Sequence, residues 1–304
     1  MIEWQAASKD YGGGSPPALD GVSFTVGNGE IVGLVGLNGA GKTTAMRLAC
    51  GISRPTAGTV SVDGHDIRRE KVRASARLGW VPELPNVDPD RRALALLRYF
   101  AGFYGFSAPD AKRRAQELLR LVGLEGSERT RVRKFSQGMM KRFNLAAVMV
   151  GDPSNLLLDE VLNGIDPQGI QFVRNWATEL RSQGKAVLFS SHQLTEMQRI
   201  ADRVVFLHRG RLLRVIHRSE LENLATGETR VRLRIPNLDS AGLAYLTGLG
   251  QIARAGDALE LTGRGVDVGQ LNRDLVSRGY VVTELQVEAT SLEEYFLRLV
   301  AGAG

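Results

Sequence analysis

The 304-residue chain reads as an α/β protein with a parallel sheet, followed by a smaller α+β domain. Three observations predict this. Apolar strand-like runs alternate with helical segments between residues 18 and 210. A glycine-rich loop, 36-GLNGAGKT-43, joins an apolar strand to a helix. Beyond about residue 227 the pattern changes to strict alternation, starting at 229-TRVRLRI-235, so a second folding unit is expected over residues 228–304.

Taken in order, 18-ALDGVSFTV-26 and 30-EIVGLVG-36 read as strands, the second apolar enough to be buried on both faces. Residues 42–50 read as a helix. Residues 59–62 form a short strand that turns at Asp63-Gly64, and 77-RLGWVPE-83 is an apolar strand running into a Pro-rich break at Pro85. Helical periodicity then holds to Lys134, clearest in 91-RRALALLRYFAGFYG-105 and 109-PDAKRRAQELLRLVG-123, which predicts a helical insert over about residues 84–134. Alternation resumes with strand 155-NLLLDE-160, a helix over 167–184, strand 185-KAVLFSSH-192, helix 193-QLTEMQRIAD-202 and strand 203-RVVFLHRG-210. The C-terminal part runs strand, helix, two strands, helix, strand: 229–235, about 239–247, a hairpin around Gly256-Asp257, 266–278 and 280-YVVTELQVE-288. A final helix, 291-SLEEYFLRLV-300, closes the chain.

Composition narrows the classes. With 43% hydrophobic and 24% charged residues the chain can bury a large core, which excludes disorder as its main state. No apolar run approaches the roughly 18 residues of a spanning helix. The start, MIEWQAASKDYGGG, has neither a basic nor an apolar stretch, so no secretory signal is expected. A single cysteine, Cys50, excludes an intrachain disulfide and fits a reducing cytoplasm. Formal charge is +6; residues 228–304 hold 8 Lys/Arg and 10 Asp/Glu, leaving 31 against 23 in residues 1–227. That surplus could attract nucleic acid or an anionic membrane surface, but solvated helix faces such as 68-RREKVRASAR-77 account for it.

The chemistry concentrates in four places. The loop 36-GLNGAGKT-43 fits G-x-x-x-x-G-K-[ST] in its proper setting, strand before and helix after. Gly36, Asn38, Gly39, Ala40 and Gly41 would wrap backbone N–H groups round a nucleotide phosphate, with Thr44 in the first turn of the following helix. Lys42 would bridge the β- and γ-phosphates, and Thr43 would place its hydroxyl on Mg²⁺. The strand 155-NLLLDE-160 ends in two carboxylates: Asp159 suits the metal, and Glu160 the attacking water. His192 ends another apolar strand at the same sheet edge, within reach of a γ-phosphate. Finally, 134-KFSQGMMKRF-143 reads as the start of a helix, a second place where free N–H groups suit an anion.

Together these residues resemble the nucleotide-binding subunit of an ATP-binding cassette (ABC) transporter over about residues 1–220. The resemblance implies the ABC-type P-loop fold, with an N-terminal antiparallel β portion beside the parallel-sheet core, and binding and hydrolysis of ATP with Mg²⁺. It places Tyr11 against adenine, Glu83 where the family usually has a metal-side glutamine, Ser136-Gln137-Gly138-Met139 at the signature sequence, Asn163-Gly164-Ile165-Asp166 at the D-loop and His192 at the switch histidine. In this family two cassettes face head to tail, and the signature helix of one caps the ATP held by the other. A working unit therefore needs two such domains, most simply a homodimer.

Three departures stand out: Gln137 replaces a signature glycine, Glu83 a glutamine, and Val161-Leu162 the usual Pro-Thr after the catalytic glutamate. The wording FSQGMMKR, Glu83, the NGID turn and the C-terminal extension look most like the subfamily driving ABC-2-type exporters. That resemblance implies a separate transmembrane permease, with this chain peripheral on the cytoplasmic face of a bacterial-type cell membrane. Nucleic acid is not expected as a partner. The rival reading, a soluble ABC ATPase acting on nucleic acid or ribosomes, has only the basic surplus in its favour. For residues 228–304, which lack a candidate catalytic cluster, a dimer-supporting or regulatory role is expected.

Overall fold

The computed structural model describes residues 1–84, 87–221, 229–263, 265–289 and 292–302, and the chain divides into two compact units, Met1–Val215 and Ile216–Gly304. The break at Pro85 and most of the expected boundary segment, residues 222–228, lie outside the described residues.

The first unit holds two sheets. Strands β1 (Ile2–Lys9), β2 (Leu19–Val26), β4 (Ala57–Val62) and β5 (His65–Asp66) form an antiparallel sheet in the order β2-β1-β4-β5. The period of β1 is broken by a bulge: Ala6 is left-handed (φ 45°) and the register shifts between Trp4 and Ala7, so its fully buried positions are Ile2, Trp4 and Ala7. Gly58 lies against that bulge at φ 71°, and a Cβ there would come 2.1 Å from the Ala6 carbonyl oxygen. Gly58→Ala is therefore expected to destabilise the protein by about 2–4 kcal/mol, because both the backbone angle and the contact are with main chain that cannot swing away. Urea unfolding measures it; a loss under about 0.5 kcal/mol, the range of ordinary surface changes, contradicts the expectation.

The second sheet runs β10-β9-β3-β8-β7-β6, built from β3 (Ile31–Val35), β6 (Leu78–Val81), β7 (Asn155–Asp159), β8 (Ala186–Ser191), β9 (Arg203–His208) and β10 (Arg211–His217). The neighbours from β9 to β6 pair in parallel. Every residue of β3, β7 and β8 is buried, as expected for strands covered on both faces. Between the sheets lies α1 (Lys42–Ala49), where Trp4 stacks on Phe24 at 4.1 Å and donates its indole N–H to the Ala45 carbonyl at 3.1 Å. The sequence reading ended at residue 210, yet β10 follows. Arg209 and Gly210 are both left-handed (φ 47° and 78°), the two-residue turn that returns a chain antiparallel.

The insert is helical as expected: α3 (Ala93–Phe103) and α4 (Ala108–Leu121) precede α5 (Gln137–Val148), with α2 (Lys71–Ser75) before β6. Ser107 caps α4 by accepting from the Asp110 N–H, with Pro109 in the first turn. Helices α6 (Pro167–Ser182) and α7 (Leu194–Ile200) pack against the central strands β3 and β8. Among the described residues no helix is long and apolar enough to cross a membrane.

The second unit is the expected strand–helix–strand–strand–helix–strand. Strands β11 (Thr229–Arg234), β12 (Gln251–Ala255), β13 (Ala258–Gly263) and β14 (Glu284–Ala289) pair antiparallel in the order β12-β13-β11-β14. Helices Ser240–Leu249 and Val268–Ser277 contribute Leu246, Leu271 and Leu275 to a core with Val231, Leu233 and Leu261. The last strand starts at Glu284 rather than Tyr280. Residues before it are tethered by side chains instead: the Tyr280 hydroxyl donates to Asp239 at 2.6 Å and the Val281 N–H to Asn237 at 2.8 Å.

Candidate functional site

The site grows from the C-terminal edge of the parallel sheet, where β3 gives way to the loop 36–41. Its glycines are dictated by space and angle. A Cβ at Gly36 would lie 2.4 Å from the Leu207 carbonyl oxygen, while Gly41 is left-handed (φ 107°) and a Cβ there would meet the Ala18 carbonyl oxygen at 2.6 Å. The loop thus nests between β9 and the segment before β2, and its backbone leads straight into the N-terminus of α1. Lys42 is buried. Its ammonium donates to the Gly36 carbonyl at 2.7 Å and lies 3.3 Å from Glu160 Oε1.

The two carboxylates face different partners. Asp159 is buried at the end of β7, where its Oδ1 accepts from the Ser190 hydroxyl and from the Thr43 hydroxyl at 3.4 Å. Burial pushes its carboxyl above the usual range, opposed by those two hydrogen bonds. Glu160 leaves the strand in a left-handed conformation (φ 49°), pinned by its N–H donating to the Ser190 hydroxyl at 3.0 Å. Its Oε2 accepts from the Asn163 amide at 3.1 Å and lies 3.1 Å from His192 Nδ1. The carboxylate therefore sits among a lysine, an imidazole and an amide.

A cavity of about 450 Å³ gathers Ala18, the residues 38–44, Glu83, Glu160, Asn163 and His192. Most of the expected site residues meet there, with Asp159 directly behind Thr43. Gly36, Asp159, Ser136, Gln137, Gly138, Asp166 and Tyr11 do not line it. Ser136 caps α5 by accepting from the Met139 N–H at 3.2 Å; with Gln137 it lines a neighbouring cavity that also reaches Glu83, Glu160 and Asn163. Gly138 lies in the first turn of α5, with open space where a Cβ would point. Asp166 caps α6, accepting from the Gly169 N–H at 2.7 Å. Tyr11 is exposed after β1, its ring 4.9 Å from the Lys9 ammonium. Sequence reading missed Ser190, Asn163 as a partner of Glu160, and Lys141. The pair Ser190-Ser191, two hydroxyls ending a buried apolar strand, was a usable signal for the first.

Residues 19–163 match the family described as ABC transporter. Over 210 residues the chain is 38% identical to the Nod factor export ATP-binding protein I of Paraburkholderia xenovorans (strain LB400), covering 69% of this chain and 68% of that protein. The chain belongs to the ABC transporter ATP-binding family. This ABC protein is also 28% identical over 305 residues to the bacitracin transport ATP-binding protein of Enterococcus faecalis, covering 100% of this chain and 97% of that one. A solved ATP-binding subunit of an ABC transporter is 29% identical and superposes with a TM-score of 0.66, covering 72% of this chain and 91% of that one. The ABC P-loop fold expected from the sequence is thus the observed one, and the chain is an ATP-binding, ATP-hydrolysing subunit of an ABC transporter. These relatives do not favour an ABC ATPase acting on nucleic acid or ribosomes.

Proposed function

We propose that this ABC ATPase powers export through a separate membrane subunit, working as one of two cassettes, with Glu160 as the base that activates the attacking water. The observation carrying the catalytic part is the Glu160 carboxylate, held by Asn163 and beside His192, 3.3 Å from the Lys42 ammonium at the mouth of the phosphate loop. In this reading the loop N–H groups and Lys42 bind the phosphates of ATP, and His192 orients the γ-phosphate against Glu160. The donor set beside the loop fits Mg²⁺: Thr43 and Asp159 offer hard oxygens 3.4 Å apart, with Glu83 on the wall of the same cavity. Bound there, the ion would neutralise charge between the β- and γ-phosphates. Tyr11 is assigned to the adenine.

Pairing is supported by the placement of Ser136, Gln137 and Gly138. These lie outside the cavity round this chain's own loop, at the start of α5, where they suit the phosphate of a second cassette's ATP. A homodimer is the simplest such pair. For the membrane subunit, a groove of about 790 Å³ runs between β6 and α3, lined by Val72, Trp80, Phe100, Phe103 and Tyr104. Val72 and Phe103 are 84% and 72% exposed, an apolar surface of the kind that a partner covers. The chain would then act at the cytoplasmic face of the membrane, and the relative named for Nod factor export favours export as the direction.

Co-purification with a membrane protein tests the assignment. Phe103→Glu places a charge on the groove and should leave ATP hydrolysis of the isolated chain within about twofold, while weakening association with the membrane subunit at least about tenfold. Unchanged association would remove the groove from the reading.

A further inference from the structure

The turn after Glu160 is held from the side by α5. The Lys141 ammonium, half-buried on that helix, donates to the carbonyl oxygens of Val161, at 3.0 Å, and of Asn163. Asn163 is in turn the donor to Glu160 Oε2 at 3.1 Å, and its own side-chain oxygen accepts from the Gln193 amide at 3.2 Å, next in sequence to His192. One residue therefore connects the helix, the carboxylate and the end of β8.

We infer that Lys141 is a positioning residue, fixing the orientation of the Glu160 carboxylate through Asn163; this rests on the reading of Glu160 as the base. The physical need is visible. Val161-Leu162 lacks a proline that would stiffen the turn, and Glu160 occupies a left-handed conformation that only its surroundings hold in place. An ammonium bridging two carbonyls supplies that restraint. A removed ammonium leaves two partly buried acceptors without their donor, so the turn relaxes and the Asn163 amide no longer aims at Oε2. Burial holds the Lys141 ammonium below the usual lysine range, opposed by the charges of Glu83 and Glu160. Since Ser136 caps α5, the same helix that would meet a second cassette's phosphate carries the clamp on this chain's base.

The test uses the full chain with Mg²⁺ and ATP. Lys141→Met, which keeps the stem and loses the ammonium, should lower kcat about tenfold with KM for ATP within about twofold, because the phosphate loop is untouched. Lys141→Arg, able to reach both carbonyls, should recover most of that loss. Asn163→Ala should behave like Lys141→Met, and the double variant should be no slower than the slower single one, since both act through one contact. A kcat within about twofold of the parent in Lys141→Met, a rise in KM matching the fall in kcat, or multiplying effects in the double variant would each overturn the inference. Should Lys141→Met fail to fold, Asn163→Ala and Lys141→Arg carry the same comparison. Glu160→Gln assayed alongside separates the two ideas. Retained turnover there defeats the base reading itself, whereas lost turnover with an indifferent Lys141→Met defeats the positioning role alone.

Discussion

Glu160→Gln should slow ATP turnover by at least about a hundredfold, the usual cost of losing a general base, while ATP binding stays near that of the parent. The substitution changes little else. A glutamine has the same volume, its oxygen can still accept from the Asn163 amide, and the backbone at φ 49° is held by the bond from the Glu160 N–H to Ser190. What disappears is the capacity to take a proton from water. Because binding is preserved and hydrolysis is not, the ATP-bound pair of cassettes should accumulate, visible as a shift to larger mass on gel filtration with ATP. Turnover within tenfold of the parent would remove Glu160 from the chemical step.

Lys42→Ala is expected to fail differently. It deletes the buried ammonium at the mouth of the loop, which in the proposed mechanism meets the negative charge that gathers during phosphoryl transfer, and electrostatic groups of this kind are worth about 10²–10³ in kcat. The same ammonium would hold the ground-state phosphates, so ATP affinity should fall as well. The loss also leaves Glu160 without a cation 3.3 Å away, in a pair where both side chains are nearly buried. Affinity by calorimetry and turnover at saturating ATP measure the two effects separately. Unchanged hydrolysis at saturating ATP would rule out the assigned role, and the contrast with Glu160→Gln, impaired in turnover alone, distinguishes a phosphate ligand from a base.

How far the sequence reached follows from the range of the forces involved. The glycine loop was legible because everything it needs is local. Spacing, glycines and the flanking strand and helix lie within a few residues, and the φ of Gly39 and Gly41 are properties of the residue type. Asp159, Glu160 and His192 were legible one step further out, since buried apolar runs mark parallel strands and their C-terminal ends share one edge of the sheet. Strand β1 was missed and the start of β14 misplaced, the one because of a bulge at Ala6 and the other because side-chain tethers to Asp239 and Asn237 hold the residues before it, neither of which leaves a periodic trace.

The sequence by itself determined the fold class, the glycine loop between strand and helix and the residues that carry charge at the sheet edge, because periodicity and backbone preference are written in neighbouring residues. Only the tertiary structure decided what holds that charge in place. Ser190 reaches Asp159 across 31 residues because β7 and β8 pair in register, and Thr43 reaches it across 116. Lys141 clamps a turn 20 and 22 residues away because α5 packs beside β6, the neighbour of β7. Such contacts depend on where whole elements come to rest, and a lysine that bonds two carbonyls is indistinguishable in sequence from one that faces water.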